Sequence, residues 1–157
     1  MTLKELRLSF GLTQVEASKS LGVPLRTYKR YESNPNETNL KYQKMVELLL
    51  EKYEITETKG IYSLDKLKSI ILNIIEQYKD DISFCYLFGS YAKGYASDKS
   101  DIDICINTTL TGFNFIGLVE NLNQALKKKV DVIRFNDLKE NLELIGEIMK
   151  DGIKIYG

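Results

Sequence analysis

LFGSYAKGYASDKSDIDI, residues 87–104, is the stretch that decides the fold of this chain. An apolar run, residues 82–88, leads into it and predicts a buried strand, and a second apolar run, residues 101–106, predicts the next strand. Gly89-Ser90 lies where the first strand ends, so we expect a turn and a short helical piece between the strands. The pattern therefore predicts a strand–turn–strand unit.

Two carboxylates lie at the start of the second predicted strand. Because side chains alternate along a strand, Asp101 and Asp103 are expected to project from one face. Carboxylates held that close repel each other, and a divalent cation that prefers oxygen ligands, Mg²⁺ or Mn²⁺, would relieve the repulsion. Gly89 and Ser90 open a helix at a strand end and offer N–H groups and a hydroxyl to a phosphate. This combination indicates chemistry on a nucleoside triphosphate.

The same string resembles the signature of the minimal nucleotidyltransferase (MNT) family, which is Gly-Ser, ten residues, then Asp-x-Asp. Gly89-Ser90, residues 91–100 as the spacer of ten, and Asp101-Ile102-Asp103 fit it without a gap. Members of the family often carry arginines in the spacer, where this chain has Tyr91 and Lys93. The resemblance implies an α/β nucleotidyltransferase fold.

The resemblance also implies roles for individual residues. ATP would be the substrate and Mg²⁺ (or Mn²⁺) the cofactor. The nucleotide-binding residues would be Gly89, Ser90 and Lys93. The catalytic and metal-binding residues would be Asp101, Asp103 and Asp131.

Asp131 interrupts a third predicted strand, residues 130–135. A charged residue inside an apolar strand is costly without compensation, and a bound metal ion could provide it. The resemblance makes Asp131 the third carboxylate of the family, on the strand beside the aspartate pair. The alternative is an edge-strand aspartate that faces water.

MNT proteins are commonly antitoxins paired with HEPN-family ribonuclease toxins, which they inactivate by adding AMP to a tyrosine. The resemblance therefore implies a Mg²⁺-dependent protein adenylyltransferase with a HEPN-type toxin as partner. Two alternatives stay open. The chain could be a non-enzymatic DNA-binding antitoxin or regulator that neutralises its partner by binding alone. It could also adenylylate a small molecule, although its shortness argues against this.

The composition of the chain excludes several classes of function. The chain of 157 residues has 22 Lys and Arg, 22 Asp and Glu and no histidine, so neither histidine catalysis nor a strongly basic surface is expected. Cys85 and Cys105 lie in predicted strands without metal-type spacing and are expected to be buried, reduced thiols. No signal sequence or transmembrane run is visible, so we expect a cytoplasmic protein with no membrane partner.

The first third of the chain predicts four short helices, near residues 3–10, 14–21, 25–32 and 39–53. Thr13-Gln14-Val15-Glu16 has the pattern of a capping box, and Gly22 suits the end of the helix that it opens. Two short helices joined by Leu21-Gly22-Val23 predict a helix-turn-helix.

This segment resembles the XRE/Cro-type DNA-binding domain, through LTQ at 12–14, LGV at 21–23 and RTYKRYE at 26–32. The resemblance implies that the third helix enters the major groove of operator DNA. The DNA-binding residues would be Gln14, Arg26, Lys29 and Arg30. A fused XRE domain suits an antitoxin that represses its own operon. The alternative is a helical protein-interaction module with solvated basic residues.

The elements together predict two domains. We expect an all-α helix-turn-helix domain at 1–55, a polar linker at 56–62 and an α/β nucleotidyltransferase domain with a mixed sheet at 63–157. The second domain should contain helices near 64–78, 113–129 and 138–150, and a short extended piece near 153–156. Lys127-Lys128-Lys129 is expected to be a solvated cap of its helix, with contact to triphosphate or RNA as the alternative. A homo-oligomer is also left open.

Overall fold

A computed structural model describes all 157 residues, and the chain divides into two compact units, Met1–Glu54 and Ile55–Gly157. The first unit consists of four helices, α1 (Leu3–Ser9), α2 (Gln14–Leu21), α3 (Leu25–Ser33) and α4 (Leu40–Tyr53). The second unit contains strands β1 (Ile82–Phe88), β2 (Ile102–Thr108), β3 (Val130–Arg134) and β4 (Ile153–Tyr156). Its helices are α5 (Leu64–Ile75), α6 (Gly89–Lys93), α7 (Gly112–Leu126) and α8 (Leu142–Asp151). This order confirms the predicted fold class.

Side-chain caps start the first two helices. Thr2 with Glu5, and Thr13 with Glu16, form capping boxes in which each threonine hydroxyl accepts the N3 amide and each glutamate accepts the N-cap amide. Gly22 ends α2 in the left-handed conformation, at φ 66°. The helices pack around one apolar cluster that includes the fully buried Tyr28.

The sheet of the second unit is mixed, with the strand order β3-β2-β1-β4. Strand β1 pairs antiparallel with β2 and with β4, whereas β2 and β3 are parallel and connected through α7. The extended piece predicted near the C-terminus is β4, an edge strand. One face of the sheet packs on α5 and α7, through a cluster that includes Leu67, Ile71, Ile104, Leu118 and Leu122.

The other face is covered less completely. Here Phe88, Cys105 and Leu138 are buried with Ile148 of α8. Residues 103 and 131 lie on this same face, because they are two residues from Cys105 and Ile133 along their strands. The site predicted from the sequence therefore lies on the thinly covered side of the sheet. Both cysteines are buried and free, as predicted.

Helix α8 differs from the prediction. It begins at Leu142, not Leu138, because Phe135–Leu138 forms a 3-10 turn and the Asn141 side chain caps α8 by accepting the Leu144 amide at 3.1 Å. Its residues Leu142 and Met149 are 77% and 81% exposed, although their spacing in the sequence indicated an inward-facing stripe with Ile145, whereas Ile148 is buried. The helix has apolar residues on more than one stripe, and local periodicity does not say which stripe meets the sheet.

The predicted linker has its own contacts within the second unit. Thr56 pairs with Lys59, and the Tyr62 hydroxyl, inside the core, donates to the carbonyl of Leu126 at 2.7 Å. The division into 1–55, 56–62 and 63–157 stays a prediction. None of the helices is long and apolar enough to cross a bilayer.

Candidate active site

Three aspartates lie near the start of β2 and β3, and two of them, Asp103 and Asp131, are directly paired across the strands. Asp103 and Asp131 are register partners on the parallel strands, so they point to the same side of the sheet. Asp101 immediately precedes β2. The Lys129 ammonium joins them, with Nζ 3.8 Å from Oδ2 of Asp101 and 3.6 Å from Oδ1 of Asp131. The tertiary fold thus gathers residues that are 30 positions apart in the sequence.

The charge of this cluster is only partly balanced. Burial, and then the negative charges of Asp131, Asp101 and Glu147, raise the pKa of Asp103 to about 6, while Lys129 acts in the opposite direction. The remaining negative charge fits a hard divalent cation with oxygen ligands. As placed, no three acidic side chains converge as a ligand set. Asp101 and Asp131 are 42% and 43% exposed, which gives their carboxylates room to reorient.

The turn after β1 brings the backbone of Gly89 against the side chain of Asp103. Gly89 has φ 72°, in the left-handed region, and opens the one-turn helix α6. A Cβ at this position would overlap Oδ2 of Asp103, and Cγ of that aspartate would lie 3.0 Å away. No side chain caps the first turn of α6. Amides without caps, with Ser90 beside them, suit an anion such as a phosphate group.

Comparison with protein families adds to this geometry. Residues 69–157, more than half of the chain, match the model of the polymerase beta nucleotidyltransferase family. The chain belongs to this family. Residues 3–56 match a helix-turn-helix model, which agrees with the four helices of the first unit.

Solved structures of toxin–antitoxin complexes are similar to more than half of this chain. A toxin–antitoxin structure with AMP-PNP is 25% identical, with a TM-score of 0.50 over 57% of this chain and 73% of the other. A mutant MntA-HpeT complex is 23% identical, with the same TM-score and the same two coverages, 57% and 73%. A complex of tri-AMPylated Shewanella oneidensis HEPN toxin with MNT antitoxin is 22% identical, with a TM-score of 0.47 over 59% of this chain and 71% of the other. Curated protein sequences gave no match.

Lys93, expected to contact the nucleotide, has a protein partner in the nucleotidyltransferase unit. Its Nζ lies 2.6 Å from Oε1 of Glu147, which ties α6 to α8. This ion pair raises the pKa of Lys93. The assignment of Lys93 to nucleotide binding stays a prediction, and it would require the ammonium to leave Glu147. Glu147 was not among the predicted site residues, because only the tertiary packing of α8 brings it near Asp103.

The lysine run after α7 was predicted to be a solvated helix cap. This prediction is wrong for Lys128. Lys127 ends α7 in the left-handed conformation, at φ 53°. Lys128 is buried, and its Nζ donates to the carbonyls of Thr56 and Asp98 at 3.0 and 2.8 Å. Burial of its ammonium lowers the pKa of Lys128. Lys129 lies within 4 Å of two carboxylates of the acid cluster, Asp101 and Asp131. No local pattern in the sequence separates it from the two lysines before it.

In the helix-turn-helix unit, three of the four predicted DNA-binding residues are exposed on α3, namely Arg26, Lys29 and Arg30. Gln14 differs, because its Nε2 donates to Oε1 of Glu32 at 3.2 Å. Its amide is therefore occupied in part by the protein, although the side chain is not buried. The DNA-binding assignments of all four residues stay predictions.

The close approach at Gly89 gives a testable expectation. Gly89→Ala should lower nucleotide transfer at least about tenfold, because the methyl group would displace the Asp103 carboxylate. It should also lower the free energy of unfolding by about 1–2 kcal/mol, because alanine is strained at positive φ. Transfer is measured by steady-state kinetics and stability by urea titration.

Gly94→Ala is the matched control. Gly94 also has a left-handed φ of 83°, but a Cβ there would meet nothing within 4 Å. Gly94→Ala should lose only the stability that strain at positive φ costs, and it should keep the wild-type transfer rate. Equal transfer by the two variants would show that crowding of Asp103 is not the cause.

Proposed function

We propose that this chain transfers AMP from ATP to a tyrosine of a HEPN-type ribonuclease toxin, and that its helix-turn-helix represses its own operon. The observation that carries the proposal is the in-register pair Asp103 and Asp131, with Asp103 against Gly89, in a member of the nucleotidyltransferase family. The similarity to a toxin–antitoxin structure with AMP-PNP supports the nucleotide and the class of partner.

The roles of the residues follow from their charges. Asp101, Asp103 and Asp131 would hold Mg²⁺, which when bound neutralises phosphate oxygens and favours an ionised nucleophile. The amides of the Gly89 turn and the Ser90 hydroxyl would orient the β- and γ-phosphates. The tyrosine oxygen attacks the α-phosphorus, the bond from that phosphorus to the bridging oxygen breaks, and pyrophosphate leaves.

The proton of the tyrosine hydroxyl needs an acceptor. The chain has no histidine, so a carboxylate of the cluster is the available base. Asp131 would fill this role or share the metal ion. It lies at the start of edge strand β3, and its side chain is 43% exposed, so the acceptor can approach from solvent.

The test is incubation of the purified chain with labelled ATP, Mg²⁺ and the protein product of the neighbouring gene. We expect label on a tyrosine of that protein, and loss of label with Asp101→Asn while the two proteins still bind each other. A tight complex without label would instead support the non-enzymatic antitoxin. Label on a small molecule alone would support the alternative that the chain adenylylates a small molecule.

The DNA-binding part of the proposal rests on the exposed basic residues of α3. Lys29→Gln should weaken binding to the operon's own promoter and lower the slope of log K against log salt by about 1, because one phosphate contact is lost. Fluorescence anisotropy at several salt concentrations measures both. Lys4→Gln on α1 removes the same charge and should leave the slope unchanged; equal slopes for the two variants would contradict α3 as the DNA-binding helix.

A further inference from the structure

Lys129 is held between two of the site carboxylates by the backbone. Its carbonyl accepts the Ile102 amide at 3.0 Å, which fixes Lys129 beside the start of β2. The preceding residue, Lys128, is anchored inside the protein by its two carbonyl contacts. From this position the Lys129 ammonium lies within 4 Å of both Asp101 and Asp131, at 3.8 and 3.6 Å. The placement therefore comes from strand pairing and a buried neighbour, and does not depend on a flexible loop.

We propose that Lys129 is an internal counter-cation that partly balances the charge of the acid cluster in the free protein and is displaced when a divalent cation binds. The inference rests on the proposed function for the identity of the site, and it adds a residue that competes with the metal ion. The ligand is a hard divalent cation, which would replace the Lys129 ammonium as the partner of Asp101 and Asp131.

The geometry suits a displaceable partner better than a permanent one. The two N–O distances exceed hydrogen-bond length, and the Lys129 side chain is 59% exposed. Exposed ion pairs of this kind contribute little to stability. A divalent cation has twice the charge of an ammonium, so at moderate concentration it should displace the ammonium from the two carboxylates. The ammonium can then move into solvent without leaving a buried charge behind.

Lys129→Gln should therefore bind a divalent cation more tightly than the wild type. We expect the dissociation constant for Mn²⁺, measured by electron paramagnetic resonance on the protein alone, to fall about three- to tenfold. Lys129→Arg keeps the charge and should match the wild type. Lys127→Gln removes an equal charge two residues away, and its Mn²⁺ dissociation constant should change less than twofold.

Three outcomes would overturn the inference. They are equal Mn²⁺ affinity in Lys129→Gln and Lys127→Gln, weaker affinity in Lys129→Gln than in the wild type, and no Mn²⁺ binding by any variant. Thermal unfolding of each variant checks that the fold is kept. Because this titration contains neither ATP nor partner, its failure is distinct from failure of AMP transfer, which the labelling assay measures separately.

Discussion

Asp103→Asn is expected to abolish nucleotide transfer and at the same time to stabilise the protein at pH 7. Transfer should fall at least about a hundredfold, because the carboxylate that would hold the metal ion becomes a neutral amide. The free energy of unfolding should rise by about 1–2 kcal/mol, a value reduced for the partial exposure of the site. Labelled-ATP assays and urea titration measure the two effects.

The stability effect has a defined pH range. Burial and the charges of Asp131, Asp101 and Glu147 raise the pKa of Asp103 in the folded protein to about 6, above the 3.8 of a free aspartate. The folded state therefore holds its proton more tightly than the unfolded state. Below pH 3.8 both states are protonated, and as the pH rises toward 6 the free energy of unfolding of the wild type falls.

The pH series supplies its own control. Asp103→Asn lacks the titrating carboxyl, so the two proteins should have nearly equal stability near pH 4 and differ fully above about pH 6. Saturating Mg²⁺ should reduce the difference in the free energy of unfolding at pH 7, because it would stabilise the wild type alone. If Asp103→Asn were less stable than the wild type at pH 7, the ionised carboxylate of Asp103 would not be a destabilising group in the folded protein.

The central part of the fold could be predicted because its information is local. Residues 82–106 alternate between apolar runs and a glycine turn, and they form β1, α6 and β2 near the expected places. The prediction of a mixed sheet is also confirmed, because β2 and β3 are parallel whereas β1 is antiparallel to both of its neighbours. In these segments, side-chain periodicity and turn chemistry agree with the final structure.

The features that could not be predicted depend on contacts between residues that are distant in the sequence. Lys93 and Glu147 are 54 positions apart, and no local pattern pairs them. In the sequence, Lys128 cannot be told apart from the lysines on either side of it. Its ammonium is nevertheless buried, where it donates to two carbonyls from other segments of the chain. Which stripe of α8 faces the sheet was decided in the same way. Local sequence gives periodicity, but the partner of each face comes from tertiary packing.

A buried ion pair of the helix-turn-helix unit, also invisible to local patterns, gives the second large expected effect. Arg7 on α1 and Glu32 on α3 are both buried, with Nε–Oε2 and Nη2–Oε1 distances of 2.9 Å. Arg7 Nη1 also donates to the Leu12 carbonyl at 2.8 Å, and Glu32 accepts from Gln14. The pair therefore connects three helices.

Arg7→Met should lower the free energy of unfolding of this unit by about 3–5 kcal/mol, because it leaves the Glu32 carboxylate buried without its cation. Hydrogen exchange of residues 1–54 in the full chain measures the loss. Promoter binding should weaken in parallel, since α3 would no longer be held against α1. Hydrogen bonding from Arg7 lowers the pKa of Glu32, so in the wild type this stabilisation is present above the ordinary glutamate pKa of 4.5 and is lost as the pH falls through the lowered value.

The double variant Arg7→Met/Glu32→Leu separates the two possible causes of that loss. If the damage comes from an unpaired buried charge, removing the charge as well should restore most of the stability, because an apolar pair of similar volume avoids the desolvation of both ions. If the damage comes from lost connections between α1, α2 and α3, the double variant should be as unstable as Arg7→Met. We expect recovery of stability with incomplete recovery of promoter binding, since Gln14 and the Leu12 carbonyl would still lack their partners. Full recovery of both would mean that the ion pair sets no geometry that DNA binding needs.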